Sequence, residues 1–273
     1  MVQRYTLALI AFLCAWPVAS QPTNPGVYYD QGLQASHNPL GLQTASKVFY
    51  RFPVAEPEGM LWESTKLDVG FQNNFSPSYE MAGAFAYFEP IAFFSLAGSA
   101  QIGAYYNSFG YGFYELTSYD SSVDPTEMTN AQTKNAFGAI LNISPTLKGA
   151  YDMFVASNTF GLTYYYADNG QGFFFERINN TPLKKSDIEL TNSAYVLVNP
   201  IEGLYAGVND SVLYVPGSGY LSHRLCAVAA YSLPINRGFS FYSGLFLGTF
   251  LSDRYFQYAF YTGAQLGMTL KLD

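Results

Sequence analysis

The chain has two histidines, His37 and His223, which bounds general-base chemistry near neutral pH. A serine hydroxyl becomes a useful nucleophile only when a base within hydrogen-bond reach takes its proton. His37 is followed by Asn38 and Pro39, not by a serine two residues on, in a proline-bounded segment read as irregular, and its catalytic reading is weaker than that of His223. His223 has Ser222 beside it, but neighbours on a strand point to opposite faces, so the two would not share a proton. His223 shares its parity with Leu225 and Ala227 and reads as an interfacial histidine, with lipid-directed hydrolysis as the weaker alternative. No catalytic residue is therefore assigned. Asp120, Asp124 and Asp168 fall in polar connections that lack histidine and read as solvated surface.

A second group has chemistry of another kind. Arg51, Lys66, Asp68, Glu80, Lys148, Asp152 and Arg224, with Gln101, fall on the polar side of alternating segments. If the apolar sides face hydrocarbon, these residues line an interior. Charges enclosed in that way must pair or stay hydrated, and a wet ring of them can sort solutes. They are the candidate lumen-lining set. No metal or cofactor is expected: beyond residue 20 only Cys226 remains, and there is no CxxC or Cys/His spacing and no glycine-rich phosphate loop opening a helix. Cys226 shares its face with Ser222 and Arg224 and reads as a small inward filler. Asp210 has lipid-facing parity in mid-strand, so a bulge or a reversed facing is expected there.

The elements that must carry these residues are strands. In IAFFSLAGSAQIGAYYN (91–107), Phe94, Leu96, Ala100, Ile102 and Ala104 alternate with Ser95, Ser99, Gln101, Gly103 and Tyr105. Period-two alternation marks a strand with one apolar and one polar face. The same pattern recurs near 64–74, 78–88, 135–144, 147–166, 189–199, 204–214, 221–233, 238–250 and 256–272. With 91–106 that makes ten strands. SKVFYRFPV supplies another over 46–53, and 26–35 is the candidate for a twelfth. In SYEMAGAFAYF the apolar set Tyr79, Met81, Phe85 and Tyr87 is expected outside, opposite Glu80. Tight turns are expected at Glu89-Pro90, at Ser144-Pro145-Thr146, over 199–203 and over 234–238, alternating with longer connections near 107–134, 167–188, 215–220 and 251–255.

Composition agrees with a membrane barrel. Charged residues are 12% of the chain, well below the usual share, while aromatics reach 18%, with 24 Tyr and 23 Phe. Mean hydropathy is nonetheless close to zero, as it would be where a lipid face and a wet face cancel. A net charge of −7 and the absence of any basic run argue against nucleic acid as a partner. Residues 1–20 read as a cleaved secretory signal: Arg4, an apolar run from Leu7 to Trp16, then Val18-Ala19-Ser20 before the cut. No later segment has the eighteen or more apolar residues of a membrane helix.

Signal, alternating strands and abundant Tyr and Phe together resemble small bacterial outer-membrane β-barrel proteins as a class. The resemblance spans 21–273 and implies an all-β fold: one antiparallel, up-and-down transmembrane barrel of about twelve strands, with ten as the alternative. Residues 21–45 are then an irregular N-terminal segment with a candidate first strand, and 46–273 the barrel. It implies the bacterial outer membrane as location, with membrane lipid, the outer-membrane assembly machinery and small solutes as partners. The expected role is structural, or that of a narrow passive channel. The alternatives are a lipid-directed hydrolase or acyltransferase, and a secreted soluble β-protein that binds an apolar ligand.

Overall fold

A computed structural model describes residues 24–273 except 39–40, 55–63, 107–112, 121–132, 169, 171, 177 and 237. The expected signal over 1–20 lies outside the described residues. The strands are β1 (Gly26–His37), β2 (Gly41–Pro53), β3 (Lys66–Ser76), β4 (Tyr79–Ile91), β5 (Phe94–Tyr105), β6 (Phe113–Leu116), β7 (Thr133–Lys134) and β8 (Ala136–Tyr151). They continue as β9 (Phe154–Asp168), β10 (Phe173–Glu176), β11 (Thr181–Lys184), β12 (Ser186–Ile201), β13 (Leu204–Val215), β14 (Tyr220–Asn236), β15 (Phe239–Ser252) and β16 (Phe260–Lys271). Twelve of them close into an antiparallel barrel, while β6, β7, β10 and β11 form a separate small sheet. Closure comes from β1 pairing with β16, with Leu33 opposite Leu266 and Tyr29 opposite Leu270. A closed ladder leaves no unpaired edge, the condition for crossing hydrocarbon with strands.

The outer wall is apolar in the way the alternation requires. Val48, Ile102, Leu141, Val196, Leu245 and Leu266 are all exposed, and Phe71 is 74% exposed. Removing such a side chain from water is worth about 1.5–3 kcal/mol, so a belt of them calls for lipid. The inner wall is divided. Strands β2–β5 present Gln43, Arg51, Asp68, Asn74 and Gln101 inward, all buried. Strands β12–β16 present Tyr195, Leu197, Tyr205, Cys226, Val228, Phe246 and Tyr261 as one apolar cluster. The strands approach closely on the inner side: a Cβ at Gly83 would overlap the Ala100 carbonyl, and one at Gly207 the Val196 carbonyl.

Most turns fall close to where the sequence places them, with three corrections. The candidate first strand of the 21–45 segment is present as β1, Gly26–His37, and β2 begins at Gly41, ahead of the expected 46. Pro145 does not turn the chain. It sits inside β8, paired with Leu96, and its missing N–H only interrupts the ladder to β9 between Ile143–Leu162 and Thr146–Thr159. The turn comes later, where Asp152 adopts φ 54. Likewise Glu89-Pro90 belongs to β4, where the register shifts between Phe88 and Ile91 before the chain reverses. Pro200 marks the same kind of shift near the end of β12. Proline at a bulge leaves no orphaned donor.

The start of β1, the end of β16 and the turns after β4, β8, β12 and β14 lie at one rim. The long connections after β5 and β9 lie at the other. They supply the small sheet, ordered β11-β10-β6-β7. Its Phe174 and Leu183, with Ile178 of the hairpin turn, pack in one cluster with Tyr79, Met81, Tyr105, Ile140, Tyr165 and Leu213 of the barrel wall. The β10–β11 hairpin thus stoppers the mouth.

Candidate functional site

The lumen below this stopper holds most of the predicted lining residues. Arg51 is fully buried and donates to Asp68 through Nε at 2.7 Å and Nη2 at 2.6 Å. These two residues face each other across β2 and β3, and the Arg51 guanidinium lies 4.7 Å from the Tyr28 ring centre. A bidentate, ring-backed pair is the geometry in which a buried ion pair recovers most of its desolvation cost. Lys66 and Lys148 converge on Glu89: Lys148 Nζ donates to Oε1 at 2.7 Å, Lys66 Nζ stands 3.9 Å from Oε2, and the Tyr87 hydroxyl donates to Oε2 at 2.7 Å. Lys148 keeps 26% of its side chain exposed. Higher on the same wall, Tyr79 OH donates to Gln43, Gln43 to Asn74, and Asn74 to Gln101 at 2.9 Å. Arg224 also faces inward, over the Tyr261 ring at 4.0 Å.

Two predicted residues are elsewhere. Glu80 faces outward, not into the lumen. Strand β4 turns Tyr79, Met81, Phe85, Tyr87 and Glu89 inward, because Tyr79 and Met81 floor the stopper and Phe85 and Tyr87 lie against the ammonium groups of Lys47 and Lys66. Ala82, Ala84, Ala86 and Phe88 take the outer face. Glu80 is served there by Asn73 and by the Tyr106 hydroxyl, each donating at 2.8 Å. Asp152 lies in the β8–β9 turn and is exposed, because β8 runs on past Pro145.

Sequence reasoning missed Glu89, Lys47 and Asp30. Glu89 was hidden by its proline neighbour, although parity continued from Phe85 and Tyr87 would have placed it inward. Asp30 accepts from Thr269 Oγ1 at 2.7 Å across the β1–β16 seam.

The mouth is tied down by polar contacts. Glu176 accepts the backbone N–H groups of Ile178 and Asn179, at 2.8 and 2.7 Å, which fixes the hairpin corner. The Asn179 amide then donates to Glu189 of β12 at 2.7 Å. In the loop after β6, the Tyr119 hydroxyl donates to Asp187 at 2.7 Å. Burial, with the Asp187 carboxylate adding to it, raises the Tyr119 phenol above its ordinary pKa. Arg254 from the β15–β16 connection donates to the Tyr119 carbonyl at 2.7 Å.

On the outer wall, Asp210 does face away from the lumen, and β13 has neither a bulge nor a reversal at that point. Its Oδ1 lies 2.9 Å from His223 Nε2. A register shift against β15 adjoins His223. Ser222 faces inward, opposite to His223, as parity requires.

A closed twelve-strand antiparallel barrel with an apolar outer belt and an interior polar on one side defines the class: an up-and-down transmembrane β-barrel. No protein-family profile matches the sequence, and no curated protein matches it. Solved structures that are similar include the beta domain of the Bordetella autotransporter Brka, at 10% identity over 91% of this chain and 100% of that one, TM-score 0.48. The translocator domain of the autotransporter NalP from Neisseria meningitidis matches at 10% identity over 90% and 87%, TM-score 0.42. The KdgM porin matches at 8% identity over 90% and 100%, TM-score 0.41.

Proposed function

We propose that the chain is a bacterial outer-membrane barrel that acts as a narrow passive channel for small solutes, stoppered at its loop end by its own hairpin. The observation that carries this reading is the charged inner wall near the short-turn rim. Arg51, Lys66 and Lys148 meet Asp68 and Glu89 there, and Lys148 keeps about a quarter of its side chain exposed beside Glu89. A barrel that is only a membrane staple has no use for five ionised groups inside, since apolar filling is at least as stable. With Lys47 and Asp30 beside them on the same wall, four cations stand against three carboxylates, which favours anions. Recording from the purified protein in a planar bilayer tests the reading. A steady unitary step with anion preference supports it, and silence over many insertions assigns the barrel a structural role.

One observation favours a second reading, lipid-directed acyl chemistry. Asp210 pairs with His223 on the outer wall through Nε2, which leaves Nδ1 as the nitrogen for general-base work. Release of fatty acid from phospholipid vesicles that is lost in His223→Ala would support it. Equal release by both proteins removes its base.

A further inference from the structure

Hydrocarbon offers no hydrogen-bond partners, so a polar side chain on a lipid-facing wall must find its partners in protein. Asn158 on β9, Asn192 on β12, Asp210 on β13 and His223 on β14 all take that face, on four strands that are neighbours in the barrel. The last three are bracketed along their strands by exposed apolar side chains: Ile188 and Val196 on β12, Val208 and Tyr214 on β13, Leu221 and Leu225 on β14. The group therefore sits inside the apolar belt, between the two rims where headgroups lie.

These side chains satisfy one another only in part. Asn192 Nδ2 donates to Asn158 Oδ1 at 2.7 Å, and Asp210 Oδ1 lies 2.9 Å from His223 Nε2. Asp210 Oδ2, Asn192 Oδ1, the Asn158 amide nitrogen and His223 Nδ1 have no hydrogen-bond partner among the described residues. The Asp210 side chain is 51% exposed. The polar group over β1–β4, across the barrel, is closed by contrast. There Gln31 Oε1 accepts from the Tyr29 and Ser46 hydroxyls, and both Glu80 oxygens are taken by Asn73 and Tyr106. Of these two groups, only the one over β9–β14 has hydrogen-bonding capacity left for something outside the chain.

We propose that this face docks a second copy of the chain, side by side in the membrane. The patch is self-complementary, as a two-fold interface requires: its open acceptors are the Asp210 and Asn192 oxygens, and its open donor is the Asn158 amide. Asn158 and Asp210 flank Ala194 in one row of the sheet. A two-fold axis beside Ala194 therefore brings Asn158 of each copy toward Asp210 of the other, and the small alanine side chain lets the two walls approach. Headgroups and water do not reach this depth, whereas a second copy carries the matching donors and acceptors by symmetry. The proposal rests on the outer wall facing lipid, and it stands whether or not the barrel conducts or acts on lipid.

The test uses the purified chain in proteoliposomes, with Cys226→Ala as background. Ala194→Cys should give a disulfide-linked dimer on oxidation, and Ala84→Cys, exposed on β4 across the barrel, should not. Energy transfer between labelled copies, followed as lipid is added, measures the association. Asn158→Leu and Asn192→Leu should each weaken it by about threefold to twentyfold, the range expected for one hydrogen bond between membrane segments. Both substitutions make the outer wall more apolar, so the single barrel should still fold, and heat-modifiable gel mobility checks this. Energy transfer absent at every protein-to-lipid ratio, equal cross-linking through Ala84→Cys, or parental association by the folded Asn158→Leu and Asn192→Leu proteins each overturns the proposal. Conductance and fatty-acid release decide the channel and lipid readings separately.

Discussion

His223 Nε2 and Asp210 Oδ1 lie 2.9 Å apart on the outside of the barrel, among the exposed side chains of Val208, Leu221 and Leu225. Either group alone on that wall would meet an environment poor in hydrogen-bond partners, and together they satisfy each other. Asp210→Leu and His223→Leu should each destabilise the barrel by about 1–3 kcal/mol, and the double variant should recover most of the loss. Urea unfolding in lipid vesicles measures the cycle. Simple additivity of the two losses would mean that the pair is not coupled.

Arg51 and Asp68 make the corresponding pair inside. Arg51→Leu leaves a buried carboxylate without its partner and should cost about 3–5 kcal/mol. Arg51→Leu combined with Asp68→Leu should be nearer to the parent than either single variant. Equilibrium unfolding followed by tryptophan fluorescence gives both numbers.

Lys148 bears on conduction. Its charge faces the lumen beside Glu89, so Lys148→Glu reverses the local balance of charge. The reversal potential in a salt gradient should move toward cations, with a loss of stability of about 3–5 kcal/mol because the buried Glu89 loses its 2.7 Å partner and gains a like charge. An unmoved reversal potential would separate Lys148 from the ion path.

The stopper is held chiefly by Phe174 and Leu183, both buried against the barrel mouth. Phe174→Ala should weaken that seat by about 3–5 kcal/mol while leaving the barrel closed. The hairpin should then open more often, so trypsin should cut after Lys184 or Lys185 faster than in the parent. Phe71→Ala, on the lipid face, should not change that rate.

Proline was the least reliable guide in the sequence. Pro90, Pro145 and Pro200 are natural turn markers, yet each sits within a strand, at a shifted register or beside an interrupted ladder. The reason is local. Proline removes one donor, and a strand tolerates that wherever the neighbouring ladder has no use for the bond. Reading Pro145 as a turn placed Asp152 on the lumen wall, and reading Glu89-Pro90 as one hid the carboxylate that gathers Lys66 and Lys148.

Alternation is a local property, because successive side chains of an extended backbone must point to opposite sides. For that reason the barrel class and most of the lumen set, Arg51, Lys66, Asp68, Gln101, Lys148 and Arg224, are legible in the chain itself. Parity does not say which side is which when both are plausible. Glu80 went outward because Tyr79 and Met81 were wanted under a hairpin about a hundred residues further on. Asn158 and Asn192, or Asp210 and His223, become neighbours only when strand registers are set, and such meetings depend on long-range packing that no local spacing encodes.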